Sequence, residues 1–197
     1  MRKKTTTGQA TLEAPPVQPP TPTEVEKAYR RGVQVGMAQI VLGDPSATGF
    51  AGKDLRECEE LRGQRLDGAN FSGCVLAGAV LSAADLTGAL FVGTDLCYAV
   101  LDEVEADWAS FDTAQANGAH FWRASLHHAR FCDADLQRAD FGESRLVGAD
   151  FTGANLREAT FRGADLAGAK FAGADLRGAS FDPDTDFNAD QFKGTKQ

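Results

Sequence analysis

Three histidines and one cysteine in the middle of the chain are the residues best suited to metal chemistry. These residues are His120, His127, His128 and Cys132. Imidazole nitrogens and thiolates are the ligands that zinc prefers. None of the four cysteines (Cys58, Cys74, Cys97 and Cys132) belongs to the short C-x-x-C pair of a zinc ribbon, nor do they suggest a disulfide framework. A metal site therefore requires a fold that brings these side chains together.

The elements that would position these residues follow from a repeat of five residues. Every fifth residue over 61–181 is Leu or Phe at 23 of 25 positions, and the exceptions are Ala106 and Ala116. The residue two before each large one is Ala at 19 of 23 positions over 69–179. A period of five fits neither the 3.6-residue period of a helix nor the two-residue period of an ordinary strand.

The repeated motif is A-(D/N)-(L/F)-x-G, as in Ala84-Asp85-Leu86 and Ala164-Asp165-Leu166. This motif resembles that of the pentapeptide-repeat proteins. The resemblance implies an all-β fold, a right-handed quadrilateral parallel β-helix in which each pentapeptide forms one side. Four sides would close a coil of twenty residues, with the large residue and the small residue two before it pointing inward.

Packing considerations agree with a narrow tube, because a second large residue at the alanine position would overfill an interior of crystal-like density. Large residues alternate between Phe and Leu over 121–181. Coils of twenty residues then predict four vertical core columns: Phe121, Phe141 and Phe161; Phe131, Phe151 and Phe171; Leu126, Leu146 and Leu166; Leu136, Leu156 and Leu176. Ala106 and Ala116 leave two of these columns short of bulk, which predicts a narrowed, bent or partly hollow coil.

This arrangement argues against catalysis and metal binding. The coils would spread the histidines and Cys132 over three successive sides of a closed tube, so we expect no metal site. The outward aspartates that precede the large residues are explained as groups bonding to nearby backbone. The sequence shows neither a nucleophile with a base and an orienting group nor a phosphate-binding loop, so we expect a non-enzyme without cofactors.

The outward positions change character between Tyr98 and Glu143, a stretch we call the belt. The residue two positions after the large residue is usually glycine, because a tight corner there favours a positive φ. In the belt, only one of the ten residues at this position is glycine. Exposed aromatic and charged side chains are typical of docking surfaces. The candidate surface residues are Tyr98, Glu103, Trp108, Trp122, Arg123, His127, His128 and Arg138. The alternative is that the belt is tolerated variation at corners.

The two ends of the sequence differ from the repeats. Residues 1–23 are rich in Pro and Thr and predict a disordered tail. Residues 24–43 predict an amphipathic helix, either an N-terminal lid over the first coil or a segment that docks elsewhere. We expect the β-helix over 48–187, with one-residue register shifts near Glu59-Glu60 and after Phe181, and a cap and tail over 188–197.

Charge and hydropathy limit the partners and the compartment. The net charge of −8 and the pI near 4.9 argue against direct nucleic-acid binding, which needs clustered positive charge. The sequence has neither an apolar stretch of the length that spans a bilayer nor the apolar core of a signal peptide. We therefore expect a cytoplasmic protein without membrane contact.

Two functions remain open on the sequence alone. The first is a rigid scaffold for protein–protein interaction that presents the belt to another protein. The second follows from the resemblance, because some pentapeptide-repeat proteins mimic DNA, bind DNA gyrase or topoisomerase IV, and protect these enzymes from quinolones. Gyrase-directed members commonly dimerise through C-terminal structure. We expect no long C-terminal helix here to support such a dimer.

Overall fold

A computed structural model describes residues 50–56, 58–183, 185 and 194–196. These residues contain no helix and form a ladder of parallel β-bridges. At every fifth position from Arg65 to Thr160, the residue is bridged to the one twenty positions later, without a break. The described residues therefore form a four-sided parallel β-helix in which each side is one pentapeptide. The expected helix 24–43 and tail 1–23 lie outside the described residues.

In most pentapeptides of the inner coils, four of the five backbone N–H groups have a backbone partner, as in Thr94, Asp95, Leu96 and Tyr98. In the pentapeptide around Leu66, the N–H of Leu66 donates to Asp85 O at 2.7 Å and that of Gly68 donates to Thr87 O at 2.8 Å. The N–H of Ala69 closes a β-turn onto Leu66 O at 3.0 Å. Gly68 has a φ of 66°, and a positive φ at the third turn residue is the arrangement of a type II turn. The corners of the tube are therefore turns, and its flat sides are single bridge residues.

The large inward residues stack in vertical columns. Phe141 lies on Phe161 with ring centroids 5.1 Å apart and planes 4° apart. A second column of seven stacked rings runs through Phe50, Phe71, Phe91, Phe111, Phe131, Phe151 and Phe171. The two phenylalanine columns meet edge to face, as between Phe131 and Phe141 at 5.5 Å and 86°. Both geometries are favourable for aromatic rings, so the bore is filled without face-to-face sandwiches.

The coil that contains Ala106 and Ala116 keeps the ladder of its neighbours. The Ala106 N–H donates to Ser125 O at 2.8 Å, and the Ala116 N–H donates to Asp135 O at 2.7 Å. Phe111, in the same coil, stacks on both of its column neighbours at 4.7 and 4.8 Å. The coil therefore keeps the register and spacing of its neighbours. The expected bend is absent, although two alanines stand where other coils have Leu or Phe.

Both register shifts appear as bridges of twenty-one residues instead of twenty. Asp54 is bridged to Val75, whereas Arg65 is bridged to Asp85, so one residue is inserted between Asp54 and Arg65. At the other end, Asp175 is bridged to Lys196, and the Lys196 N–H donates to Ala174 O at 2.9 Å. This last bridge extends the β-ladder beyond residue 187, where the sequence analysis places its end, because the chain returns to cover the open edge of the preceding coil.

Most of the expected cap and tail, including Phe192, lies outside the described residues. Among the residues that are described, none forms a helix with the length and hydropathy that a membrane crossing would require.

Candidate interaction surface

The corners of the belt have a backbone conformation that side chains rarely adopt. Nine of its ten corner residues are not glycine, and all nine have φ between 54° and 62°. They are Tyr98, Glu103, Trp108, Thr113, Arg123, His128, Asp133, Arg138 and Glu143. A positive φ is uncommon for residues other than glycine, and for a β-branched residue such as Thr113 it is an outlier. The fold thus holds large side chains outward at positions that glycine would fill with less strain.

The structure divides the candidate residues among the corners of the tube. Corner 1 carries Tyr98 and Arg138; corner 2 carries Glu103, Trp122 and Arg123; corner 3 carries Trp108, His127 and His128; corner 4 carries Thr113 and Asp133. Residues five apart occupy adjacent corners, and residues ten apart occupy diagonally opposite ones. Tyr98 and Trp108 therefore cannot meet one flat partner surface, whereas corners 2 and 3 share the side that displays Glu105.

Aromatic side chains at two corners lie over the next coil. Trp108 stacks on His128 with centroids 4.2 Å apart and planes 21° apart, as the twenty-residue coil predicts. The Tyr98 ring covers Gly118, where an added Cβ would lie 2.8 Å from two ring carbons. This contact explains why Gly118 is the single corner glycine of the belt. Tyr98 and Trp108 remain 66% and 64% exposed, so each has a large free surface.

Arg123 joins two of the other candidates at corner 2. Its guanidinium carbon lies 4.0 Å from the centroid of the Trp122 ring, and its Nε donates to Glu143 Oε2 at 2.7 Å. Glu103, Arg123 and Glu143 stand twenty residues apart on this corner, and among the described residues only Arg123 and Glu143 of these three form an ion pair. A pair that the sequence analysis did not identify, Arg138 with Glu158 at 2.8 Å, lies on corner 1.

One N–H group of the pentapeptide, that of the residue after the large one, has no backbone partner. This group explains why Asp or Asn often precedes the large residue. Where an Asp precedes the large residue, it accepts this N–H, as Asp140 Oδ1 does from Gly142 at 2.8 Å and Asp150 Oδ1 does from Thr152 at 3.0 Å. Residues 105–130 have no Asp or Asn at that position. In three of these six repeats the acceptor comes from the preceding coil: Asp102 accepts from Trp122, Asp107 from His127 and Asp112 from Cys132, at 2.9–3.1 Å.

Three acidic residues of the run 102–112 thus have a structural role that sequence reasoning missed. The available signal was their spacing, since each stands twenty residues before a pentapeptide without its own acceptor. Partial burial raises the pKa of Asp102 although the Trp122 N–H bond opposes that shift. The exposed carboxylates of the run are Glu103 and Glu105.

The residues first considered for metal or nucleophilic chemistry are dispersed. His120 lies on a flat side, His127 and His128 lie at corner 3, and Cys132 lies at corner 4. Within the described part of the chain, His, Cys, Asp and Glu form no group of three that could hold a metal ion. Burial, followed by the carboxylates of Asp150 and Asp112, raises the pKa of Cys132 to about 11.

A second thiol is equally unreactive in character. Burial and the Glu60 side chain raise the pKa of Cys58 to about 11. Thiolates are the reactive form of cysteine, so both thiols are poor nucleophiles near neutral pH.

Comparison with known proteins assigns the family. The family model described as pentapeptide repeats matches residues 60–91, 79–114, 109–146 and 144–182, which together span more than half of the chain. The chain belongs to the pentapeptide-repeat family, whose members form right-handed β-helices. A search of curated proteins finds no match.

Three solved structures illustrate the similarity. A pentapeptide-repeat protein of the Arabidopsis thaliana thylakoid lumen is 29% identical, covers 67% of this chain and 74% of its own, and has a TM-score of 0.42. HetL of Nostoc sp. strain PCC 7120, involved in regulating heterocyst differentiation, is 22% identical over 88% and 93%, with a TM-score of 0.32. QnrB1, a plasmid-mediated fluoroquinolone resistance protein, is 18% identical over 75% and 90%, with a TM-score of 0.39.

Proposed function

We propose that this protein is a non-enzymatic cytoplasmic scaffold that holds a partner protein on the belt, chiefly through corners 2 and 3. The observation that carries the proposal is the left-handed backbone at nine belt corners that are not glycine. Each such residue costs on the order of 1–3 kcal/mol relative to a relaxed conformation. Outside the belt, glycine occupies most corners, so the strain is concentrated where the large side chains are.

The side chains held at these corners are of the kinds that dominate binding energy. Trp, Tyr and Arg are enriched among the residues whose truncation weakens protein interfaces most. Trp108 rests on His128, and Arg123 is fixed between Trp122 and Glu143, so they lose little freedom on binding. Such preorganisation favours affinity because fewer rotamers must be ordered when the partner arrives.

Substitution of corner residues by glycine tests the proposal without damaging the fold. The double variant Trp108→Gly/Arg123→Gly removes the main side chains of two adjacent corners and relieves positive φ at both. We expect an unchanged or higher melting temperature together with loss of the partner in a pull-down from the source organism. Ala83→Gly is the matched control, because it relieves the same backbone strain at φ 58° and removes only one methyl group. Equal recovery of partners by the unmodified protein, the double variant and Ala83→Gly would contradict the proposed surface.

A substitution at corner 1 tests whether the partner contacts corners other than 2 and 3. Tyr98→Gly removes an exposed ring that lies diagonally opposite Trp108. A partner seated on corners 2 and 3 is retained by this variant, whereas a partner that wraps around the tube is weakened by it as well.

A second candidate function is DNA mimicry directed at DNA gyrase or topoisomerase IV. The observation in its favour is a stretch from residue 66 to 122 that contains no Lys or Arg. Against it, basic and acidic residues alternate over the following coils, whereas a mimic of duplex DNA needs continuous negative faces. A gyrase supercoiling assay with and without ciprofloxacin decides between the two. DNA mimicry requires inhibition or protection, and the scaffold proposal expects neither.

A further inference from the structure

We infer that residues 66–122, which we call the acidic segment, form a docking surface for a basic protein segment that also carries apolar side chains. The inference rests on the proposed scaffold function and names the chemistry of the partner. The acidic segment contains no Lys or Arg and eight carboxylates. These are Asp67, Asp85, Asp95, Asp102, Glu103, Glu105, Asp107 and Asp112.

The following coils, residues 123–180, differ in both composition and pairing. We call them the balanced segment because they contain eight basic and eight acidic residues. Four of the eight cations form ion pairs within the segment, as in Arg138 with Glu158 at 2.8 Å and Lys170 with Asp150 at 3.6 Å. Charges there are largely neutralised within the tube.

The carboxylates of the acidic segment have little such compensation. Two of its eight carboxylates pair with cations outside the segment, Asp112 with Arg130 at 2.8 Å and Asp67 with Arg65 at 3.9 Å. Among the described residues, no cation lies within ion-pair distance of Glu103 or Glu105, and both are exposed. Glu105 is also bridged directly beside Asp85 on the same side of the tube. Like charges directly opposite each other on neighbouring strands repel, and incoming cations would relieve this repulsion.

Apolar exposure gives an independent indication of a protein partner. The described residues expose four large hydrophobic side chains, and all four lie in the acidic segment. They are Leu90, Val92, Tyr98 and Trp108, exposed by 40%, 41%, 66% and 64%. Leu90 lies on the side of the tube that begins at the corner of Trp108, because Leu90 is bridged to Ser110, two residues after Trp108. Tyr98 lies at the diagonally opposite corner, so the surface consists of the other three. Exposed apolar side chains beside charge are a feature of protein interfaces.

The negative charge of the acidic segment determines which class of macromolecule it can bind. Phosphates of nucleic acids and anionic lipid headgroups would be repelled by uncompensated carboxylates. Lys and Arg side chains of a partner would be attracted, and complementary charge speeds association and fixes orientation. The occupant is therefore a protein segment with Lys or Arg beside apolar residues.

The experiment titrates the full chain with two synthetic peptides of equal length and equal leucine content, one carrying lysines and the other glutamates at the same positions. Binding is followed by calorimetry at low and physiological salt, and the contact region is mapped by backbone amide chemical shifts. We expect the lysine peptide alone to bind, with shifts largest in the acidic segment and absent beyond residue 143, and an affinity that falls as salt rises.

Two charge-matched variants make the test specific. Glu103→Gln/Glu105→Gln should weaken lysine-peptide binding about tenfold. Asp133→Asn/Asp165→Asn removes two exposed carboxylates of the balanced segment and should change the affinity less than about twofold. Equal weakening by both variants, shifts that extend equally over the coils beyond residue 143, or equal binding of the glutamate peptide would each overturn the inference.

The scaffold proposal fails independently of this result, because its test is the recovery of the cellular partner by the corner-to-glycine variants. A partner lost from Trp108→Gly/Arg123→Gly but recovered unchanged by Glu103→Gln/Glu105→Gln supports the scaffold and contradicts the basic partner.

Discussion

The acidic and balanced segments share one backbone ladder and one continuous phenylalanine column, but their exteriors differ. Phenylalanine rings stack at 4.7 Å between Phe91 and Phe111 and at 5.1 Å between Phe151 and Phe171. Both segments keep the twenty-residue ladder. Outside, one segment has uncompensated carboxylates and exposed apolar side chains, and the other has ion pairs. Two inward residues of every five specify the tube, so the other three are free to vary with function.

The largest effect is expected inside the tube, where the two segments should respond alike. Phe111→Ala and Phe151→Ala each remove a buried ring that stacks on two neighbours of the same column. Each should lower the free energy of unfolding by about 3–5 kcal/mol. Urea denaturation measures both values. A much smaller cost for Phe111→Ala would show that the interiors differ as well.

Ala116 sharpens this comparison, since it belongs to the acidic segment and stands in a column between Leu96 and Leu136. The ladder continues through it with the usual spacing, so its Cβ stands at the position from which leucine fills the bore in the coils before and after it. Ala116→Leu should therefore stabilise the protein by about 1 kcal/mol. Ala119→Leu, at a small inward position, should destabilise it by about 1–3 kcal/mol through overpacking. Thermal unfolding decides, and destabilisation by both variants would mean that the coil is already full.

Corner strain predicts opposite effects for the same substitution at two threonines. Thr113 has a φ of 57° at a corner, whereas Thr87, also exposed, lies one position earlier in its turn and has no positive φ. Thr113→Gly should stabilise the protein by about 1 kcal/mol. Thr87→Gly should destabilise it by about 0.5–1 kcal/mol through added backbone entropy in the unfolded chain. If both changes destabilise, the strain argument for the belt loses its basis.

Salt should affect the two segments in opposite directions by a few tenths of a kcal/mol. Screening weakens the repulsion among the carboxylates of the acidic segment and also weakens the ion pairs of the balanced segment. Native-state hydrogen exchange at rising sodium chloride should show increasing protection for the amides of Glu105 and Gln115. The amides of Arg145 and Asp150 should show constant or decreasing protection. A parallel increase in both pairs would mean that the charge asymmetry has no energetic effect.

Much of the fold was predictable because five-residue periodicity, closed at twenty residues, fixes which residues are neighbours. The stacking of Phe141 on Phe161 and of Trp108 on His128 follows from that offset alone. The acceptor role of Asp107 was less visible, because it depends on which backbone N–H group of the next coil lacks a partner.

Which candidate surface residues face the same direction was harder to predict, because it depends on the corner that each residue occupies. A linear stretch such as 98–143 winds around the tube more than twice, so its aromatic residues face different directions. Sequence proximity therefore indicated which coils are decorated, but the three-dimensional offset was needed to show which corners can share one partner.

The most direct test of the account places a photoactivatable cross-linker in living cells at successive positions of one side of the tube. Leu90, Ser110, Arg130, Asp150 and Lys170 occupy the same bridge position on five consecutive coils. Once each is replaced by the same cross-linking residue, the five positions differ chiefly in their place along the axis of the tube. The account predicts adducts with a partner protein at positions 90 and 110 and none at 150 and 170. Adducts of equal yield along the whole column, or adducts confined to positions 150 and 170, would contradict it.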